Sequence, residues 1–188
     1  MARNSEDTRK RLLEAAAAEF AAYGIAGARV DRIAEAARCN KQAIYAYYGS
    51  KDGLCDAVLD AMVEDILESV PIDAFDLPGY AVRLFDRYQA HPETLRLAGW
   101  YQLEGKPLPP AAMASMGHKI DAVRQAQEAG RVSKRFSPEI LLLLVLTLTR
   151  MGAPDSPEAH SGMVPPADSR QAIACLLYTS DAADDTPC

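Results

Sequence analysis

The chain has 188 residues, 49% of them apolar, with 20 Lys and Arg against 26 Asp and Glu and a formal charge of −6. That length suits one compact domain or two small ones sharing a core, and the apolar content excludes wholesale disorder. The longest apolar run, Ile140 to Leu148, falls far short of the ~20 residues that span a bilayer. No basic-then-apolar segment opens the chain as a secretion signal would, and the four scattered cysteines suggest cytosolic thiols rather than a disulfide framework or zinc site.

Charge is unevenly spread. Residues 1–51 hold nine Lys and Arg against six Asp and Glu, a balance of +3, which leaves −9 on the remainder. A basic end on an acidic protein can meet a polyanion at that end alone.

Strand signals are scarce and apolar residues recur at helical spacing, so the expected fold is all-α. A first helix is predicted from about Asp7 to Tyr23, burying Leu12, Leu13, Ala16, Ala17 and Phe20, with Gly24 as its stop. A short second helix, about Val30 to Arg38, carries Val30, Ile33, Ala34 and Ala37 on one face. Cys39-Asn40 interrupts the pattern, and Asn40 can cap a third helix from Lys41 to Tyr48. Gly49 ends it, and Ser50 caps a fourth from Lys51 to about Ser69. Beyond Pro71, Pro and Gly punctuate the chain. They mark helices at about Pro78–Ala90, Pro92–Glu104, Ala111–Ala129 and Ser137–Met151, then a loop over 152–166 and a last helix from about Ala167 that fails near Thr179.

Two short helices joined by a tight turn, with a longer helix across them, make a helix-turn-helix unit. Its second helix must bury one face and present small or hydrogen-bonding side chains on the other. Ile44 and Tyr48, four apart, suit the buried face. Lys41 can neutralise a phosphate or reach a guanine edge, Gln42 can pair with adenine, and Ala43 and Ala46 can touch thymine methyls. Tyr45 and Tyr47 carry hydroxyls suited to phosphate oxygens. Lys51 adds a cation beside the amides that open the fourth helix.

The stretch "TRKRLLEAAAAEFAAYGIAGARVDRIAEAARCNKQAIYAYYGSKDGL" resembles the DNA-binding domain of the tetracycline-repressor (TetR) family of bacterial transcription regulators, a likeness that covers residues 8–58. Phe20, Gly24, Ile33-Ala34, Ile44-Tyr45, Ser50-Lys51-Asp52 and Leu54 follow the family's order. The departures are the missing hydroxyl cap of the second helix around Ala28-Arg29, Tyr48 for Phe, Gly49 for Pro and Gly53 for an acid. Gly53 is expected to weaken the fourth helix by roughly 1 kcal/mol relative to Ala. The resemblance implies DNA contacts at Arg29, Lys41, Gln42, Ala43, Tyr45, Ala46, Tyr47 and Lys51. It also implies an N-terminal three-helix DNA-binding domain (1–52) continuous with a helical bundle for ligand binding and dimerisation (53–175).

In the second half, candidate pocket walls are Leu84, Phe85, Tyr88, Trp100, Tyr101, Leu103, Met113, Met116, His118 and Ile120; ordinary core packing is the competing reading. Residues 140–148 are apolar nearly all round, so Leu141, Leu144, Val145 and Leu148 are candidates for a two-fold dimer face. Residues 176–188, ending "TSDAADDTPC", resemble read-through of unrelated sequence and are expected to fray. His118 lacks a ligand-spaced partner, so no metal is expected, and no cofactor is implied.

The reading that follows is a cytoplasmic, sequence-specific transcriptional regulator, a repressor released by a small-molecule effector. It would work as a homodimer on a near-palindromic double-stranded operator, away from membranes. The alternative is an all-helical protein-interaction module that uses the same tyrosines without DNA. Nucleophile elbows, phosphate loops and metal clusters are absent from the sequence, so no enzyme is expected.

Overall fold

The computed structural model describes residues 2–105, 107–154, 156, 159, 161–162 and 165–181, with side chains from Ser5 to Leu177. Among them every regular element is an α-helix. The order is α1 (Ala2–Gly27), α2 (Val30–Ala36), α3 (Lys41–Tyr48), α4 (Lys51–Ser69), α5 (Leu77–Ala90), α6 (Pro92–Leu103), α7 (Pro110–Glu128), α8 (Pro138–Leu148) and α9 (Pro166–Asp181). The expected tail is described only as far as Asp181, where α9 ends; residues 182–188 lie outside the described residues.

The bounds of α3 and α4 coincide with those read from the sequence. Helix α1 starts five residues before Asp7 and bends at Gly24, whose φ of 71° and ψ of 169° break the helical run. A side chain there would also meet the Trp100 ring, since a Cβ would lie 3.2 Å from it. Helix α2 stops at Ala36 because Arg38 adopts a left-handed φ of 54°. The Cys39 N–H then closes back onto the Ala34 carbonyl at 3.0 Å, the wrap that ends many helices. Helix α8 stops at Leu148, three residues before Met151.

The chain forms two compact units, one of residues 1–65 and 93–112, the other of residues 66–92 and 113–188. The division differs from a cut after residue 52. Most of α4 stays with the first unit, and α6 joins it through space. The reason is apolar: Leu97 and Tyr101 of α6 are buried in one cluster with Leu12, Phe20, Ile33, Ile44, Leu54 and Val58.

In the second unit α5 packs on α9 and α8. Tyr80, Leu84, Phe85, Val123, Leu142, Val145 and Ile173 are buried there. The Arg170 guanidinium grips the Asp86 carboxylate through Nε at 2.9 Å and Nη2 at 3.1 Å, tying α9 to α5. The Gln127 amide donates to the Ser133 and Phe136 carbonyls at 2.8 and 2.9 Å, fixing the loop that leads from α7 into α8.

Candidate nucleic-acid interface

Helix α3 is built to present one face. Asn40, in extended conformation, accepts the Ala43 N–H on its side-chain oxygen at 2.8 Å and so satisfies an amide that the helix leaves unpaired. Ile44 is fully buried and Tyr48 half-buried, which roots the helix in the core. Lys41, Gln42, Tyr45, Ala46 and Tyr47 are exposed, with Tyr45 45% and Tyr47 42% accessible, and Ala43 is half-buried at the edge of that face. The row therefore leaves the body as the spacing predicted.

The turn into α4 depends on two glycines. Gly49 has a φ of 74° and donates to the Tyr45 carbonyl at 2.9 Å. This brings the Tyr48 carbonyl over Gly53, where a Cβ would sit 2.2 Å from the oxygen. Gly53, expected to weaken α4 relative to Ala, is instead the residue that the close approach accepts. Ser50 caps α4 by taking the Gly53 N–H at 3.0 Å.

No side chain caps the first amides of α2, but the N–H of its N-cap residue, Arg29, is bonded from another helix. The half-exposed neighbourhood of Arg29 is pinned by Glu19 of α1, whose carboxylate accepts the Arg29 N–H at 2.9 Å and the Arg32 Nε–H at 2.8 Å. A Glu inside α2 would make the first of these bonds in a capping box. The Arg32 guanidinium also lies 4.2 Å from the Tyr23 ring centre, a cation–π contact. Burial by itself would raise the Glu19 pKa, but the Arg32 bond and the Arg29 N–H outweigh it and hold the carboxyl below its ordinary value. Arg29 itself is exposed at the start of α2.

The two lysines are placed differently. Lys41 lies 2.9 Å from Asp31, both side chains well exposed. Such a pair is weak enough to exchange for a phosphate. Lys51 is half-buried and donates to the Ala26 and Ala28 carbonyls at 3.2 and 3.4 Å, tying α4 to the link between α1 and α2. An ammonium has three donors, so these two bonds leave one.

Sequence reasoning passed over Glu19, Ser5 and Arg9. Ser5 Oγ and Tyr47 Oη are 2.9 Å apart, and the Tyr48 hydroxyl donates to the Arg9 carbonyl at 3.5 Å. The only signal for Glu19 was an acid bordering the buried stripe of α1. Nothing local pointed to Ser5, because its partner lies 42 residues away.

The candidate pocket residues belong to both units. Leu84, Phe85 and Tyr88 are buried on α5 in the second unit, with Met116 and Ile120 half-buried and Met113 and His118 exposed on α7. Trp100 and Tyr101 belong to the first unit. The Trp100 ring covers Gly24, and the Tyr101 hydroxyl donates to the Pro107 carbonyl at 3.0 Å. Leu103 is exposed. A groove of about 630 Å³ in the second unit is lined by other residues, among them Ile72, Phe75, Arg83 and Gln125. Of the candidate dimer residues, Leu141 and Val145 are buried in their own unit, Leu148 is half-buried and Leu144 is exposed, beside exposed Ile140 and Leu143. Among the described residues no helix is long and apolar enough to cross a membrane, and no group of three His, Cys, Asp or Glu could hold a metal ion.

Comparison with known proteins agrees with the geometry. Residues 12–58 match the tetR family of bacterial regulatory proteins, and residues 76–177 match the tetracyclin repressor-like C-terminal domain. The chain is 48% identical over 149 residues to the HTH-type transcriptional repressor SCO4008 of Streptomyces coelicolor, covering 77% of this chain and 78% of that protein. The crystal structure of SCO4942, a protein of the same organism assigned as a transcriptional regulator, superposes with a TM-score of 0.81. That comparison has 37% identity over 92% of this chain and 97% of the other. The structure of AibR in complex with isovaleryl coenzyme A and operator DNA shares the fold, with a TM-score of 0.69 at 16% identity over 92% of this chain and 99% of that one. These matches set aside the reading as an interaction module without DNA. The exposed row of α3, its capped and rooted frame and the matches over both halves have one meaning: the chain belongs to the tetR family of bacterial regulatory proteins and is a DNA-binding transcriptional regulator.

Proposed function

We propose that the protein is a homodimeric, effector-released repressor that works in the cytoplasm on a near-palindromic operator. The observation that carries this reading is the face of α3: Lys41, Gln42, Tyr45 and Ala46 exposed around fully buried Ile44, with Arg29 exposed at the start of α2. A helix in the major groove reads base edges through such a row, and two copies place their rows about one helical turn, ~34 Å, apart. Gln42 reads a base edge, Ala43 and Ala46 contact thymine methyls, and Tyr45, Tyr47, Lys41, Lys51 and Arg29 hold phosphates. The kinship with a repressor supports the sign of regulation.

The dimer face is the outer side of α8, where Ile140, Leu143 and Leu144 are exposed on a helix whose other side is buried. Effector binding falls to the second unit, with Phe85 and Tyr88 as its buried aromatic groups on α5 and Met116 half-buried on α7. AibR, a neighbour in fold, is described with both a small molecule and operator DNA. An effector releases DNA by binding the non-operator conformation better than the operator-bound one.

The test is selection of bound duplexes from a random DNA library. A shared inverted repeat is the expected result. Gln42→Ala should cost about 1–3 kcal/mol and relax preference at one position per half-site. Recovery of no common sequence, or affinity for the selected duplex that does not fall with salt, would overturn the reading.

A further inference from the structure

Ser5 and Arg9 lie four residues apart in the first turns of α1 and so on one face of that helix. That face meets the end of the recognition helix. Ser5 Oγ is 2.9 Å from Tyr47 Oη, the Tyr48 hydroxyl reaches the Arg9 carbonyl, and the Arg9 guanidinium lies 6.0 Å from the Tyr48 ring centre. The two tyrosine rings are themselves 6.2 Å apart. Both contacts come from residues that precede Leu12, where the match to the tetR family begins. Ser5 is helical because α1 begins at Ala2, ahead of Asp7.

We propose that Ser5 is a positioning residue for DNA recognition, holding the Tyr47 ring in the orientation from which it meets the DNA backbone. This rests on the reading that Tyr47 contacts DNA. Tyr47 is 42% exposed, so little packing restrains its ring, and the bond to Ser5 supplies what packing does not. A side chain already ordered loses less freedom on binding. Ser5 acts before DNA arrives, and its effect passes through the Tyr47 hydroxyl alone. The neighbouring bond from Tyr48 to Arg9 keeps the two helices in register while this happens.

The experiment is a double-mutant cycle on the full chain, with affinity for the duplex selected from the random library as readout. Ser5→Ala should weaken binding about three- to tenfold, the scale of one side chain ordered on association. It should leave the thermal midpoint in place, because Ala is favoured over Ser in a helix. Ser5→Thr, which keeps the hydroxyl, should restore affinity. In a Tyr47→Phe background Ser5→Ala should cost nothing more. A further equal loss in that background would mean that Ser5 acts independently of Tyr47, and the proposal fails. It also fails if Ser5→Ala is silent while Tyr47→Phe weakens binding, or if Thr does not rescue. If neither Tyr47→Phe nor Ser5→Ala weakens binding, Tyr47 is not a DNA contact, and the reading beneath the proposal falls first.

Discussion

Glu19 shows how much one carboxylate can organise. Its side chain is nearly buried, and one oxygen serves both the backbone of Arg29 and the guanidinium of Arg32. Glu19→Gln keeps the shape but removes the charge, so the partly exposed Arg32 guanidinium loses its anionic partner. A loss of about 1–3 kcal/mol is expected, measurable by urea unfolding at neutral pH. The sign with pH follows from the depressed pKa. The carboxyl holds its proton less tightly when folded than at its ordinary 4.5. Its contribution is therefore complete above that value and is lost as pH falls through the folded-state pKa. The Glu19→Gln protein should lack this part of the acid sensitivity, so the stability difference between the two should shrink on acidification. A constant difference down through that range would refute the linkage.

At the scale of the element, the frame of α3 was legible almost to the residue. Asn40, Ile44 and Gly49 are local signals: a cap, a buried anchor and a left-handed stop. Asn40→Ala is expected to cost about 1 kcal/mol. The turn beyond reverses the expectation from propensity. Helix propensity treats Gly53 as a weak point, so Gly53→Ala would stabilise by roughly 1 kcal/mol if the helix stood alone. In the folded chain a Cβ there meets the Tyr48 carbonyl at 2.2 Å. Gly53→Ala should therefore lower the unfolding midpoint and loosen the end of α3. A raised midpoint in thermal unfolding would show that the turn can relax. Likewise α2 has no hydroxyl cap, and only packing reveals that Glu19 of α1 takes the N–H of Arg29 just before the helix.

For the whole molecule, the sole tryptophan gives a direct handle. Trp100 lies over Gly24 within the unit that contains α3, so its emission should follow unfolding of that unit. An emission change that tracks only the second unit would contradict this placement. The exposed leucines of α8 set the second expectation. Leu144→Glu, or Leu143→Glu, places a charge on the proposed two-fold face without touching the core. Sedimentation should show a monomer that keeps its helical circular dichroism, and operator affinity should drop about a hundredfold or more, because paired recognition helices bind with avidity. A variant that remains dimeric would move the interface elsewhere.

Taken alone, the order of residues determined the all-helical class, the bounds of α3 and α4, and which side chains of α3 face outward. Those features depend on spacing at 3.6 residues per turn and on caps a few residues away, both of which are local. Tertiary structure alone decided that α6 joins the first unit, that Tyr101 serves its core while Trp100 covers Gly24, that Glu19 holds the Arg29 N–H before α2, and that Ser5 reaches Tyr47. Each of these is a meeting of groups distant in the chain, and their energy comes from burial and bonds that exist only once the helices have packed.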